Sequence, residues 1–300
     1  MDMTHNKCCR HGANLRRRRR RRRKILRSII FSCSIIAVAV FVAVGSSMIR
    51  SGDGRTNKYD VEAGNNTYDN AVIENSKISE KNKIQNNQSM LDDIMNSTQY
   101  PKQLKDLALK NEEALEFVYD YPAEHVKEHT IDLTEEASMD SVPLFVQWDK
   151  RWGYEKYSGN FFAASGCGPT TLSMVVVYLT HNREASPIAV AKYSKEAGYS
   201  VDGSGSSWTL ISEGCRHYGV KAKTVALDES RMKAELDEGH PIVVNVGPGD
   251  FTDTGHFMVI TGYDDEGFSI NDPNSIEKSG KRWFFKNISS QIRAVWSMYV

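Results

Sequence analysis

Apolar positions are spread unevenly along the chain, and each cluster has its own period. Residues 28–49 carry no charge over 22 positions and are rich in Ile, Val, Ala and Phe. At about 1.5 Å per residue, a helix of that length crosses a hydrocarbon core. Residues 50–98 sustain no apolar period; Asn, Ser, Lys, Glu and Asp dominate, and the aromatics are Tyr59 and Tyr68. Such a composition offers too little apolar surface to offset the entropy of ordering, so it predicts a disordered linker. Helical spacing returns after Tyr100-Pro101, with Leu104, Leu107, Ala108, Leu115 and Val118, and stops at Tyr121-Pro122. Residues 99–122 are predicted as a short helical segment that packs as a cap on the domain beyond it.

From residue 140 to 300 the pattern is that of a globular domain. It predicts a strand at 142–147, helices at 169–179 and 187–196, a Gly/Ser loop at 203–207 and a helix at 208–218. A strand near 222–225 and a helix at 230–238 come next, and strands at 241–246, 257–263, 268–271 and 281–285 close the domain. Helices first and strands later argue for α+β rather than alternating α/β.

Charge changes the picture at the amino end. The formal net charge of zero hides twelve Lys/Arg and one acid in residues 1–49, against 26 Lys/Arg and 37 acids in the rest. A run such as Arg16 to Lys24 suits nucleic acid, yet the apolar stretch directly after it points to a membrane instead. Arginines on the amino side of a span hold that side in the cytoplasm. Residues 1–27 therefore read as a basic cytoplasmic segment, 28–49 as a transmembrane signal anchor, and everything beyond as extracytoplasmic. The competing expectation is a cleaved signal peptide, with small residues at Ala43-Val44-Gly45, a mature start at Ser46 and a secreted domain.

The candidate chemistry centres on Gly166-Cys167-Gly168-Pro169-Thr170. A proline there opens a helix, because its fixed φ suits the first turn and its missing N–H would be unpaired anyway. That sets the Cys167 sulfur at a helix start, where free N–H groups and the helix dipole favour the thiolate, the form that acts as nucleophile. The flanking glycines are expected to clear a path to the sulfur. Downstream, Gly255-His256-Phe257 opens a β-branched strand and Asn271-Asp272-Pro273 ends another. Cysteine catalysis needs a base beside the thiolate and a third group that orients the far imidazole nitrogen. Cys167, His256 and Asp272 supply those types, and such partners meet in space rather than in sequence. Alternating strand geometry lets only one of Asn271 and Asp272 reach the imidazole, and the carboxylate suits an imidazolium better. Taken singly, each motif has a bland reading: a buried structural cysteine, a satisfied histidine, an Asp-Pro turn.

Other features add less. Residues 203–207 are no phosphate loop, since no Lys comes after them; the functional alternative is a flexible loop lining the substrate. Cys8 and Cys9 fall on the cytoplasmic side and Cys33 in the span. Cys215, expected in mid-helix as a small apolar filler, is the one thiol that could otherwise pair with Cys167. No close-spaced ligand pair supports zinc on Cys167, His256 and Asp272, and neither metal nor cofactor is expected.

Residues 142–152, the Gly-Cys-Gly-Pro-Thr stretch, Gly203 to Trp208, Phe251 to Phe257 and Asn271-Asp272-Pro273 together resemble the C39-like peptidase domains of Gram-positive bacteria, within the papain-like cysteine peptidase superfamily. The resemblance implies a nucleophile helix packed on an antiparallel sheet. It also implies roles for Cys167 as nucleophile, His256 as base and Asp272 as orienting acid. In that superfamily a Gln shortly before the cysteine helps to bind the oxyanion. Gln147 is the Gln in reach here, twenty residues upstream, which is longer than the usual spacing. The expected function is an extracytoplasmic thiol hydrolase acting on peptide or related amide bonds, with a peptide or cell-wall substrate and no nucleic-acid partner. The alternatives are an inactive papain-like domain that binds peptides or cell wall, and a cell-wall amidase or transpeptidase. No feature of the sequence sets an oligomeric state.

Overall fold

The computed structural model describes residues 66–300, with side chains from residue 79. The basic run, the apolar stretch at 28–49 and Cys8, Cys9 and Cys33 lie outside the described residues. Among the described residues, no helix is long and apolar enough to cross a membrane. Of the two units into which the chain divides, Asn70–Val300 carries the fold.

A long helix, α1 (Asn66–Asn96), stands where a linker was expected. Most of its sequence is polar, but near its end Met90, Leu91 and Ile94 recur at helical spacing, and Ile94 is fully buried. They pack with α2 (Lys102–Lys110) and α3 (Leu115–Tyr119) through Leu104, Leu107, Leu115, Phe117 and Val118. This cluster continues into Phe161 and Ala163. Residues 50–65 of the expected linker lie outside the described residues; from Asn66 on, burial of one short apolar stripe continues a helix that composition alone did not support.

The centre of the domain is α4 (Cys167–Thr180), buried on every side from Gly168 to Val177. A helix apolar all round belongs in the middle of a core. One side rests on α5 (Pro187–Glu196), which Ser186 caps by accepting from the Ala189 N–H. The other rests on a six-stranded antiparallel sheet made of β1 (Lys221–Thr224), β2 (Ile242–Val246), β3 (His256–Asp264), β4 (Gly267–Asn271), β5 (Arg282–Trp283) and β6 (Ile292–Tyr299). Its spatial order is β1-β6-β2-β3-β4-β5. Val243, Phe257, Val259, Trp296 and Met298 face α4. Ile242, Val244, Met258, Ile260 and Ile270 face the opposite layer, with Met232 of α6 (Glu229–Asp237). Burial on both faces explains the unbroken apolar run Ile242-Val243-Val244.

Four expectations need correction. Residues 142–147 form no strand: Val142 and Pro143 carbonyls accept from the Asn271 side-chain amide (3.1 and 3.0 Å), and the Gln147 N–H donates to the Pro273 carbonyl. Pro143 has no N–H to offer a ladder. The helix expected at 208–218 is broken into Thr209–Ser212 and a 3-10 turn, Gly214–Tyr218. Gly214 sits against the Tyr199 ring, where a Cβ would approach to 3.0 Å. The strand expected at 281–285 is only two residues long, and Phe285 already begins a short helix. Finally, β6 has no counterpart among the expected strands; Arg293 and a register shift between Ile292 and Ala294 interrupt its alternation.

Candidate active site

The sheet brings the candidate residues together by simple geometry. Strands β3 and β4 form a hairpin, so the first residue of β3 and the residue just past β4 lie at the same end. These are His256 and Asp272. The helix α4 begins at that end with Cys167 as its first residue, slightly earlier than expected, leaving Pro169 third. The Thr171 hydroxyl donates to the Phe257 carbonyl (3.1 Å) and fastens the first turn of the helix to the first residues of the strand.

His256 and Asp272 are both buried, and the imidazole Nε2 lies 2.7 Å from Asp272 Oδ1. The same oxygen accepts the Asn274 N–H at 2.8 Å, while Oδ2 is buried with no hydrogen-bond partner. The Asp272 N–H donates to Ser279 Oγ (2.9 Å), so the carboxylate is held by its backbone as well. With Nε2 engaged, Nδ1 is the ring nitrogen left for the half-buried Cys167, which lines the same cleft and feels the imidazole's charge. Asn271 faces away toward residues 142–143.

Electrostatics follow from this line of three. Burial disfavours the imidazolium, but the Asp272 charge and hydrogen bond, with Cys167 beyond, push His256 up to about 10. Burial likewise opposes the Cys167 thiolate, yet the hydrogen bond and charge of His256 outweigh it. Backbone N–H groups of Phe257 and Gly168 add to that, and the thiol is held below its ordinary value. The arrangement therefore favours a thiolate–imidazolium pair with a buried carboxylate behind it.

The sulfur and imidazole lie in a cleft of about 510 Å³, the size of many small-ligand and peptide sites. Its walls include Gln147, Asn274, the 249–255 loop and residues of α2. Gln147 thus reaches the cleft despite its distance in sequence. Its buried Nε2 donates to the Ala163 carbonyl (2.8 Å) and to Asn274 Oδ1 (3.2 Å), which uses both amide protons, and Oε1 has no partner.

The glycines beside Cys167 do not serve the access predicted for them. A Cβ at Gly166 would meet the Phe162 ring at 2.6 Å, and one at Gly168 would meet Ser206 Oγ at 2.5 Å. Both are demanded by close packing. Residues 203–207 stay off the cleft wall: Ser206 backs α4 and bonds the Tyr157 hydroxyl (2.7 Å). Cys215 is a free, fully buried thiol in the 3-10 turn, pushed up to about 11 by burial. Among the described residues no cluster of three His, Cys, Asp or Glu could hold a metal, and Asp272 lies across the imidazole from the sulfur. Asn274 escaped the sequence reading. Asp-Pro-Asn is nonetheless a signal for the Asx turn in which Asp272 Oδ1 accepts from the N–H two residues on.

Comparison with family models agrees with this architecture. The model of the Peptidase_C39 like family matches residues 139–300. The chain belongs to that family. Among solved structures, this C39-like chain is similar to the peptidase domain of ComA, a bifunctional ABC transporter of Streptococcus involved in a quorum-sensing pathway. That match has 20% identity over 45% of this chain and 90% of that one, with a TM-score of 0.36. It is also similar to a C39-like peptidase from Bacillus anthracis, at 17% identity over 53% of this chain and 95% of that one, with a TM-score of 0.33. The comparison with curated proteins found no match.

Proposed function

We propose that the chain is a thiol hydrolase that cleaves peptide or related amide bonds through Cys167, His256 and Asp272. The observation that carries this reading is the buried imidazole, which bridges a half-buried sulfur at a helix start and a buried carboxylate, inside an open cleft. The Cys167 thiolate adds to the substrate carbonyl carbon, and the charge moves to the carbonyl oxygen. The His256 imidazolium passes its Nδ1 proton to the amine as the C–N bond breaks, leaving a thioester. Neutral His256 then takes a proton from water as that water attacks; the C–S bond breaks, the acid leaves and the thiolate returns. Asp272 fixes the tautomer and steadies the imidazolium. The Cys167 N–H, at the open start of α4, is the first oxyanion donor. Gln147 Nε2 becomes the second if substrate draws it from the Ala163 carbonyl.

The same reading puts the domain outside the cytoplasmic membrane of a Gram-positive bacterium, held by residues 28–49 with Arg16 to Arg23 inside. Protease added to intact cells would then digest the domain. A mature start at Ser46 would instead mark it as secreted. The chemistry is tested with a thiol-reactive amide-mimic probe, then by profiling on peptide and muropeptide libraries. Labelling at Cys167 with turnover of one library supports the proposal and names the substrate class. Labelling without turnover of any amide would make the domain a binding module.

A further inference from the structure

The cleft is completed from outside the family-matched residues. Leu107, Lys110 and Asn111, all ahead of residue 139, line it together with Cys167 and His256. Asn111 ends α2 and caps the next turn, its Oδ1 accepting the Glu113 N–H at 3.0 Å. Its Nδ2 donates to both the carbonyl and the Oδ1 of Asn274 (2.9 and 3.1 Å). Asn274 is the residue whose N–H holds Asp272 and whose side chain receives Gln147. Two residues on, the Glu113 carboxylate accepts from the N–H groups of Ile276 (2.7 Å) and Glu277 (3.0 Å) and from the Ser275 hydroxyl. It thereby caps the short helix Ile276–Ser279, whose Ser279 receives the Asp272 N–H. Both ends of the turn that carries the acid are thus gripped by one three-residue stretch.

We infer that Asn111 and Glu113 are positioning residues for the Cys167–His256–Asp272 site, making residues 102–119 a working part of the active centre. The inference rests on the function proposed above. Neither residue touches the reacting atoms; each acts through Asn274 or the 276–279 helix on the Asp272 carboxylate. A looser turn lets Asp272 retreat from Nε2, the imidazole loses basicity, and the thiolate loses its counter-ion.

The test tracks the pH dependence of iodoacetamide alkylation at Cys167 in the full chain, read by mass spectrometry, with thermal stability alongside. Asn111→Ser keeps a good capping oxygen and neutral charge but cannot reach Asn274. Glu113→Gln keeps shape and removes the charge. Tyr100→Phe serves as comparator: it removes a 2.9 Å bond to the Tyr119 carbonyl inside the same segment, away from the turn. Wild-type protein should reach half-maximal alkylation well below the ~8.5 of a free cysteine. Both positioning variants should move that midpoint upward, Asn111→Ser by about one pH unit, whereas Tyr100→Phe should lower the melting temperature and leave the midpoint in place. Unmoved midpoints in folded Asn111→Ser and Glu113→Gln overturn the inference, as does an equal shift in Tyr100→Phe. An ordinary thiol midpoint in the wild type overturns the proposed function itself, and the inference with it.

Discussion

Cys215 and Cys167 touch the same hydrophobic core, one from a 3-10 turn and the other from the first residue of α4. Around Cys215, burial outweighs the Arg216 charge and a backbone hydrogen bond, and its thiol is pushed up to about 11. Around Cys167, burial is present too, but a cationic imidazole and two backbone N–H groups answer it, and the thiol is held down. The contrast teaches that depth in the core does not decide the chemistry of a sulfur. What decides it is whether charge and donors have been brought to meet the anion.

The sharpest way to break the comparison is to remove each sulfur in turn. Cys167→Ala should abolish probe labelling and hydrolysis, whereas Cys215→Ala should keep both. Equal loss in the two variants would mean that the contrast lies in folding and not in reactivity.

The next effect in size concerns the carboxylate. Asp272→Asn should lower kcat by about two orders of magnitude or more, as in other triads stripped of their acid. Asn271→Ala should cost far less in rate, because its amide serves residues 142–143; its penalty should appear in melting temperature, at roughly 1 kcal/mol per hydrogen bond. A folded Asn271→Ala with the larger loss in kcat/KM would reverse the two assignments.

A third measurement is the pH profile of kcat/KM. The reactive ion pair exists above the lowered pKa of Cys167 and below the raised one of His256, so activity should appear early on the acid side. It should then fall as pH rises through about 10. In Asp272→Asn the alkaline fall should move toward the ordinary imidazole range. An alkaline limb near that range in the wild type would show that Asp272 does not support the imidazolium. The smallest effect is that of Cys215→Ala on stability: about 1 kcal/mol for one buried heavy atom, visible as a shift of a few degrees in thermal unfolding.

Much of this site could be read from residue types at particular positions. Gly-Cys-Gly-Pro marked a helix start, and Gly-His-Phe and Asn-Asp-Pro marked two strand ends, because turn and cap chemistry is local. What stayed hidden depends on contacts between distant residues. The glycines looked like openings for substrate until Phe162 and Ser206 were seen to occupy the space beside them. Asn111 and Glu113 carry no motif at all; only their bonds to the turn at 274–277 give them meaning. The polar helix α1 and the irregular strand β6 were missed for the same reason, since each is stabilised by partners that its own pattern does not name.

The position of β6 also sets an order of events. It pairs with β1 through Trp296 and Thr224 and with β2 through Val295 and Val244, and β2 in turn pairs with the strand that begins at His256. A chain emerging amino end first has made Cys167, His256 and Asp272 before residues 292–299 arrive to join the two parts of the sheet. Until then β1 and β2 have no neighbour between them and the floor beneath α4 is incomplete. The site should therefore mature only once the last strand is in place, and chains stalled before residue 292 should show no labelling at Cys167.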